Sequence, residues 1–234
     1  THLLVLIGSA EQARTPKNPF TANERAAMIR TMGVFPGIGL SIQYLHDFKY
    51  NEPRWIEQVQ EQIEKMCADN DISTKAVTIV GHEKDSSSYY LKVFPQYKQR
   101  MVDFYMTATV FNDRTKCMDA TRIRELMFEN EFSFLRGVVS ERVLKYLADF
   151  SRTPEFEQLQ GEYNQLKAYK QSWAAAPYAP TFVTADAVVF QSGHVLLVQR
   201  QATTYGGLLW ALPGGFVNQN ERIRDAALRE LKEE

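Results

Sequence analysis

Two cysteines among 234 residues, Cys67 and Cys117, exclude a disulfide framework and a cysteine-rich zinc site. The four histidines, His2, His46, His82 and His194, stand at spacings that no simple zinc motif uses. Long apolar runs are missing as well. The longest, Leu3 to Ile7, falls far short of the ~20 residues that cross a bilayer. No leader pattern precedes it, because Thr1 runs straight into a buried-strand sequence. Charge of one sign is also lacking. Lys plus Arg number 27 against 28 Asp plus Glu, which excludes the one-sided field that holds bulk nucleic acid or a membrane surface. No internal repeat and no low-complexity tract interrupts the chain. What is present is an ordinary globular composition, 44% hydrophobic, at a length suited to one large domain or two small ones. A cytoplasmic protein is expected; whether it forms a homo-oligomer is left open.

Both ends read as cut. The apolar strand at Leu3–Ile7 has nothing before it to pair with, and Ala226 to Glu234 stops in mid-helix without a glycine or proline. Between them, the first part alternates strands and helices. Thr21-Ala22-Asn23-Glu24 has the form of a capping box, and Ala27, Met28 and Met32 continue that helix. A strand is predicted over Ser41–Tyr44 and a helix over 54–68, with Trp55, Ile56, Val59, Ile63 and Met66 on one face. Ala76–Val80 reads as a buried strand and Met101–Tyr105 as a weaker one. Asp119 caps a helix carrying Ile123, Leu126 and Met127. Such alternation predicts a parallel sheet covered by helices, with ligands beyond the carboxyl ends of its strands.

The pattern changes at Pro154. Phe156, Leu159, Tyr163, Leu166, Tyr169 and Trp173 recur every three or four residues, an aromatic stripe read as packing against a neighbouring domain. Ala174–Pro180 is a linker-like stretch, and Gln191-Ser192-Gly193 joins two strands, 182–190 and 195–200, as a hairpin. Domains are therefore expected over 1–150 and 181–234, with a linker helix over 151–180.

The most specific signal lies at the end. Gly215 is followed after five residues by Glu221, and after seven more by Arg229-Glu230-Leu231-Lys232-Glu233-Glu234. On a helix, Glu230, Glu233 and Glu234 share one face, where three carboxylates repel one another unless a cation sits among them. Hard oxygens suit Mg²⁺ or Mn²⁺, and Gly214-Gly215 lets a backbone carbonyl approach the same ion. This run resembles the Nudix box, the signature of enzymes that hydrolyse nucleoside diphosphates linked to another group. The resemblance implies that Glu230, Glu233 and Glu234, with Gly214, hold the metal, and that Arg229 orients a glutamate. Trp210 to Gly215 is similar to the approach to the box in ADP-ribose-type members.

A second chemistry appears near the start. Ile7-Gly8-Ser9-Ala10 places small residues after a buried strand, where backbone N–H groups can face a phosphate. Arg14 and Lys17 follow, then Asn18-Pro19-Phe20-Thr21 and Glu24-Arg25. Far along the chain, Thr121 sits in a first helical turn with Arg124 three residues on, on the same side, able to clamp phosphate oxygens. These segments, with the Asp47–Trp55 stretch containing N-x-x-x-W and the 80–90 stretch, resemble the archaeal-type nicotinamide mononucleotide adenylyltransferases. Their order is similar to that of bacterial enzymes that fuse such a domain to a C-terminal Nudix domain.

The resemblance implies an α/β fold: a Rossmann-like nucleotidyltransferase parallel sheet with helices on both faces, then part of a Nudix α/β/α domain. It implies transfer of the adenylyl group of ATP to nicotinamide mononucleotide, giving NAD and pyrophosphate. It also implies metal-dependent hydrolysis of ADP-ribose or a related compound. Asn51 and Trp55 would meet the nicotinamide nucleotide, although Trp55 reads equally as helix core. Thr121 and Arg124 would grip ATP phosphates, while Gly8, Ser9, Arg14 and Lys17 line the same groove. His82 is either an active-site residue or a plain loop histidine. The family's histidine motif, G-x-F/A-x-P-x-H-x-G-H, is not in the sequence and belongs before Thr1; adenylyl transfer is expected to be crippled if Thr1 is the true start. Two other readings stay open: a Nudix-type sensor that binds without hydrolysis, and an adenylyltransferase with another acceptor.

Overall fold

The computed structural model describes residues 1–33, 37–82, 86–102, 119–178, 180–201 and 206–234. The chain divides into two compact units, Thr1–Thr153 and Pro154–Glu234. In the first, strand β1 (His2–Ile7) pairs in parallel with β2 (Gly39–Tyr44), from His2 opposite Gly39 to Ile7 opposite Tyr44. Strand β3 (Thr78–Gly81) pairs in parallel with β4 (Lys98–Met101). The expected strand at 76–80 therefore begins two residues later. Thr74–Ala76 forms one 3-10 turn instead, because the Ser73 hydroxyl caps it through the Lys75 N–H at 3.3 Å. Of the strand expected at 101–105, Met101 ends β4, and residues 103–105 lie outside the described residues.

Alternation along β1 buries both of its faces. Leu4 and Leu6 pack against helix α2 (Glu52–Asp69), with Val59, Ile63 and Cys67 falling four residues apart on its inner face. Val5 and Ile7 face the other way, against Ala22 and Ala26 of helix α1 (Ala22–Thr31). A strand packed on both sides must be apolar there, which accounts for the run Leu4–Ile7; Leu3 stays exposed. Each fully buried aliphatic side chain there contributes roughly 1.5–3 kcal/mol.

The capping box forms as expected. The Glu24 N–H donates to the Thr21 hydroxyl at 3.2 Å, and the Thr21 N–H donates back to the Glu24 carboxylate at 2.7 Å. Helix α3 (Ala120–Phe128) starts at Asp119, whose carboxylate accepts from the Arg122 N–H at 2.8 Å. Helix α4 (Glu141–Phe150), which the sequence reading left unassigned, is capped by Ser140 and buries Leu147 and Phe150. Phe20 packs on Phe150 at 4.9 Å between ring centroids and on Tyr146 at 6.1 Å.

The second unit opens with helix α5 (Pro154–Ser172). Two members of its aromatic stripe find partners inside this same unit. Tyr169 packs on Phe182 at 5.3 Å and on Phe216 at 6.4 Å, and Trp173 meets Phe182 at 5.4 Å. Strand β5 (Thr184–Asp186) pairs with the later strand Gly214–Phe216. Between them, β6 (Phe190–Gln191) and β7 (His194–Val195) form the expected hairpin. Its turn, Ser192-Gly193, has φ of 50° and 80°, the two-residue turn that matches strand twist. Strands β8 (Val198–Gln199) and β9 (Trp210–Ala211) pair in turn, Gly214–Phe216 is β10, and helix α6 (Ile223–Glu233) closes the unit. Cys67 is buried as a free thiol, and Cys117 lies outside the described residues. Among the described residues no helix is long and apolar enough to cross a membrane.

Candidate active sites

The first candidate site is built on the turn that ends β1. Ser9 takes a left-handed backbone, φ 50°, and the space where a Gly8 side chain would stand is open. The turn is held from below by Arg25 on α1. Its Nη1 donates to the Gly8 carbonyl at 2.8 Å and its Nη2 to the Ser9 carbonyl at 3.0 Å. Burial pushes the Arg25 guanidinium below its ordinary range, against a smaller opposing pull from Asp47. The sequence reading quoted Arg25 only as part of a motif. Its contacts with the Gly8 and Ser9 carbonyls span 17 and 16 residues, which no local pattern in the sequence marks.

Ser9 and Gln12 converge on Asp47. The Ser9 hydroxyl donates to one carboxylate oxygen at 3.4 Å and the Gln12 amide to the other at 2.5 Å. Asp47 thereby joins the β1 turn to a cavity of about 820 Å³ at the start of α2, lined by Asp47, Phe48, Tyr50, Asn51, Trp55 and Tyr89 among others. Asn51 caps α2, its side-chain oxygen accepting from the Arg54 N–H at 3.2 Å. Trp55 packs against buried Phe94, 6.0 Å between ring centroids, and also lines the cavity. Tyr50 has φ 61° and a fully exposed side chain. A left-handed backbone at a bulky residue costs on the order of 1 kcal/mol or more.

Other expected residues lie apart from that cavity. Arg14 makes a two-pronged pair with Glu24, Nη1 to Oε2 at 2.7 Å and Nη2 to Oε1 at 2.8 Å, and also donates to the Pro19 carbonyl. Its guanidinium lies over the Phe150 ring, 5.5 Å from the centroid. This cluster also pushes the Tyr146 hydroxyl up to about 12, through burial first and the Glu24 charge second. Lys17 is exposed on the same loop. Thr121 and Arg124 stand on the first turns of α3, where Arg124 Nη2 donates to the Thr121 hydroxyl at 3.1 Å. Burial draws the Arg124 guanidinium below its ordinary range, opposed by Asp119 and Glu125. His82 sits 2.9 Å from the Val102 carbonyl through Nδ1, so that nitrogen carries the proton in this contact.

The second candidate site is the β10–α6 junction. Arg229 organises it. Its Nε and Nη2 donate to the two oxygens of Glu221 at 2.8 and 2.9 Å. Its Nη1 donates to Glu230 at 2.7 Å and Glu233 at 3.2 Å, and Nη2 also reaches the Phe216 carbonyl at 2.9 Å. The Arg229 guanidinium, and then the Asn218 N–H, hold the Glu221 carboxyl down at about 2. An unfolded glutamate titrates near ~4.3, so this pair stabilises the fold fully above about pH 5 and loses its effect as pH falls toward 2. Thermal unfolding of wild type and Glu221→Gln between pH 2 and 7 checks this: the gap between them should be full at pH 6 and close toward pH 2.

Two glycines shape the edge that receives these carboxylates. Ala187 N donates to the Pro213 carbonyl at 2.8 Å and Val217 N to the Val183 carbonyl at 2.9 Å. The intervening alternation leaves Gly214 opposite Asp186 in a pair without mutual hydrogen bonds, so its N–H and C=O point away from β5. There the N–H meets Glu234 Oε2 at 3.3 Å. A Cβ at Gly214 would collide with Asp186 and with the Ala185 carbonyl at 2.8 Å. The atoms nearest a Cβ at Gly215 would be those of the Glu230 carboxylate, at 2.5–2.6 Å, the end of a side chain rather than backbone. The two substitutions should therefore differ. Gly214→Ala pushes on backbone and should lower the stability of this unit by about 1–3 kcal/mol. Gly215→Ala should fold nearly as well but displace Glu230, losing hydrolysis rather than stability. Melting curves beside hydrolysis rates check the contrast.

Among the described residues no three or more His, Cys, Asp or Glu side chains are gathered as a ready metal cage. Glu230 and Glu233 turn to Arg229 and Glu234 to the Gly214 N–H. The donors nevertheless fit a hard divalent cation: carboxylate oxygens crowd a glycine edge, with Glu230 filling the space a Gly215 side chain would take.

Comparison with known proteins agrees with this division of chemistry. The NUDIX domain family matches residues 180–234. The chain is 30% identical over 162 residues to a nicotinamide/nicotinic acid mononucleotide adenylyltransferase of Acinetobacter baylyi, covering 69% of this chain and 78% of the relative. It is 37% identical over 57 residues to an ADP-ribose pyrophosphatase of Methanocaldococcus jannaschii, covering 24% of this chain and 33% of that one. A crystal structure of a bifunctional NMN adenylyltransferase/ADP ribose pyrophosphatase from Francisella tularensis, complexed with AMP and a manganese ion, superposes with a TM-score of 0.78 at 32% identity. That match covers 99% of this chain, which spans 64% of the length of the solved protein. With that coverage of a relative at this identity, the chain belongs to the nicotinamide/nicotinic acid mononucleotide adenylyltransferase family and carries a NUDIX domain at its C-terminal end.

Proposed function

We propose that the first unit transfers the adenylyl group of ATP to nicotinamide mononucleotide, and that the second hydrolyses a nucleoside diphosphate derivative, ADP-ribose being the best candidate. On this reading the transferase occupies 1–150 and the hydrolase 181–234, in the cytoplasm. The observation that carries the first half is the Asp47–Trp55 cavity, joined through Asp47 to the Ser9 turn. A nucleotide with its ring against Trp55 brings its phosphate toward open backbone at Gly8 and Ser9. In the reaction an oxygen of the mononucleotide's 5′-phosphate forms a bond to the α-phosphorus of ATP. The bond to the β-phosphate oxygen breaks, and pyrophosphate leaves.

No covalent intermediate with the protein is needed, so the residues act by positioning and charge neutralisation. Arg124, with Thr121, offers donors to the triphosphate. Lys17 adds exposed positive charge. Arg14 contributes by fixing the 8–20 loop through Glu24 and Pro19. In the second unit, Gly214, Glu230, Glu233 and Glu234 are the residues that would hold Mg²⁺ or Mn²⁺. When bound, the ion supplies charge neutralisation on the diphosphate and lowers the pKa of a water. Glu230 is oriented by Arg229, which Glu221 in turn fixes.

The test is to supply the complete protein with nicotinamide mononucleotide, ATP and Mg²⁺ and follow NAD, then to supply ADP-ribose and follow AMP. Formation of both products is expected. No NAD removes the first assignment. Tight ADP-ribose binding without AMP release turns the second into a sensor.

A further inference from the structure

The turn that carries the first cavity breaks a local rule. Asn51 N donates to the Phe48 carbonyl at 3.0 Å, closing a four-residue turn in which Tyr50 is the third residue. That residue has φ 61°, where such a turn favours glycine or asparagine. A tyrosine there loses conformational energy that a packed ring normally returns. This ring returns none to the described fold, because its side chain is exposed at 106% of the reference value. Its neighbours behave otherwise: Phe48 lies under the Arg54 guanidinium at 5.7 Å, and Trp55 packs on Phe94. Asn51 is fixed as the cap of α2, so the strained turn holds Tyr50 at one fixed place on the rim of the 820 Å³ cavity. A residue that breaks a local preference without a return in packing is best accounted for by a ligand.

We propose that Tyr50 is a specificity-determining residue of the first site, closing its ring over the heteroaromatic base of the nucleotide acceptor on the side away from Trp55. This rests on the reading of that cavity as the mononucleotide site. Two π-faces on a flat base suit a positively charged pyridinium ring in particular, because electron-rich aromatic faces attract cations. The ring is therefore expected to favour a pyridinium mononucleotide over an uncharged acceptor.

The experiment is calorimetric titration of nicotinamide mononucleotide into the complete protein, wild type and Tyr50→Ala, Tyr50→Phe and Tyr50→Gly, beside melting curves. Removing one stacked ring should weaken binding about tenfold, the scale of a single base–aromatic contact. Tyr50→Phe should bind like wild type, and the KM for ATP should not move in any variant. Tyr50→Gly should bind weakly and yet melt about 2–4 °C higher, as relief of the turn predicts. Wild type that binds while Tyr50→Ala binds equally well overturns this inference and leaves the site assignment standing. Loss of affinity in Tyr50→Phe as large as in Tyr50→Ala overturns it too, since the ring would not be the contact. Wild type that does not bind the mononucleotide at all removes the site assignment and the inference together.

Discussion

Glu230→Gln should lower kcat/KM for ADP-ribose hydrolysis by about 10²–10⁴, the range seen when one preorganised charge is taken from a reacting centre. The amide matches the carboxylate in volume, so it still fills the space beside Gly215 that the carboxylate takes. What it loses is charge and an acceptor. Arg229 Nη1 now donates to Glu230 at 2.7 Å, in a side chain left only 14% exposed. An amide offers its own N–H toward that guanidinium in one orientation and only a neutral oxygen in the other. Glu233→Gln should also lower hydrolysis, because that carboxylate belongs to the same proposed metal set, but less than Glu230→Gln, since it is 57% exposed and its contact with Arg229 is longer, 3.2 Å. NAD formation should stay within about twofold of wild type in both variants, since the transferase residues belong to the other unit. AMP release measured against NAD formation on the same preparations checks all three. Hydrolysis by Glu230→Gln within tenfold of wild type would place the essential carboxylate elsewhere.

The reach of sequence reasoning differs between the two units for physical reasons. Short-range signals carried over almost unchanged. The Thr21–Glu24 box, the Asp119 cap and the Ser192-Gly193 turn each depend on residues within four positions of one another, and each formed as read. That Arg229 orients a glutamate was legible only through the resemblance to the Nudix box; that its partners are Glu221 and Glu230 comes from the structure. Long-range pairings were not. That Arg14 turns to Glu24, and that Arg25 rather than Arg14 braces the Gly8–Ser9 carbonyls, depends on how the loop after β1 folds over α1. Both arginines carry the same charge, and the one that braces the turn is the more distant in sequence, 16–17 residues from its partners, so local pattern could not choose between them. Asp47 was also missed as a junction, since its partners Ser9 and Gln12 lie 38 and 35 residues away. Tyr50 left a faint trace only in retrospect: a tyrosine at the third position of a turn that precedes a helix cap.

Arg124→Ala should reduce kcat/KM for ATP by about 10²–10³, with the KM for nicotinamide mononucleotide nearly unchanged. Among the described residues its hydrogen bonding is with the Thr121 hydroxyl alone, through one of the five N–H donors a guanidinium carries. The other four make no hydrogen bond among the described residues, while burial has drawn the group's pKa down against a weaker opposing pull from Asp119 and Glu125. A desolvated cation with donors to spare is poised for an anion, and phosphate oxygens match the planar fork. Arg124→Lys should recover charge without the fork and therefore only part of the rate. Thr121→Ala should cost less, about fivefold to tenfold, because it only frees the guanidinium to wander, and Thr121→Ser should restore it. The same reasoning predicts little change in melting temperature for Arg124→Ala, since among the described residues no buried partner is left unpaired when the side chain goes. Initial rates with each substrate varied in turn, beside melting curves, decide the matter. Equal losses toward both substrates, or a fall of several degrees in melting temperature, would make Arg124 a residue of the scaffold and move the triphosphate away from the start of α3.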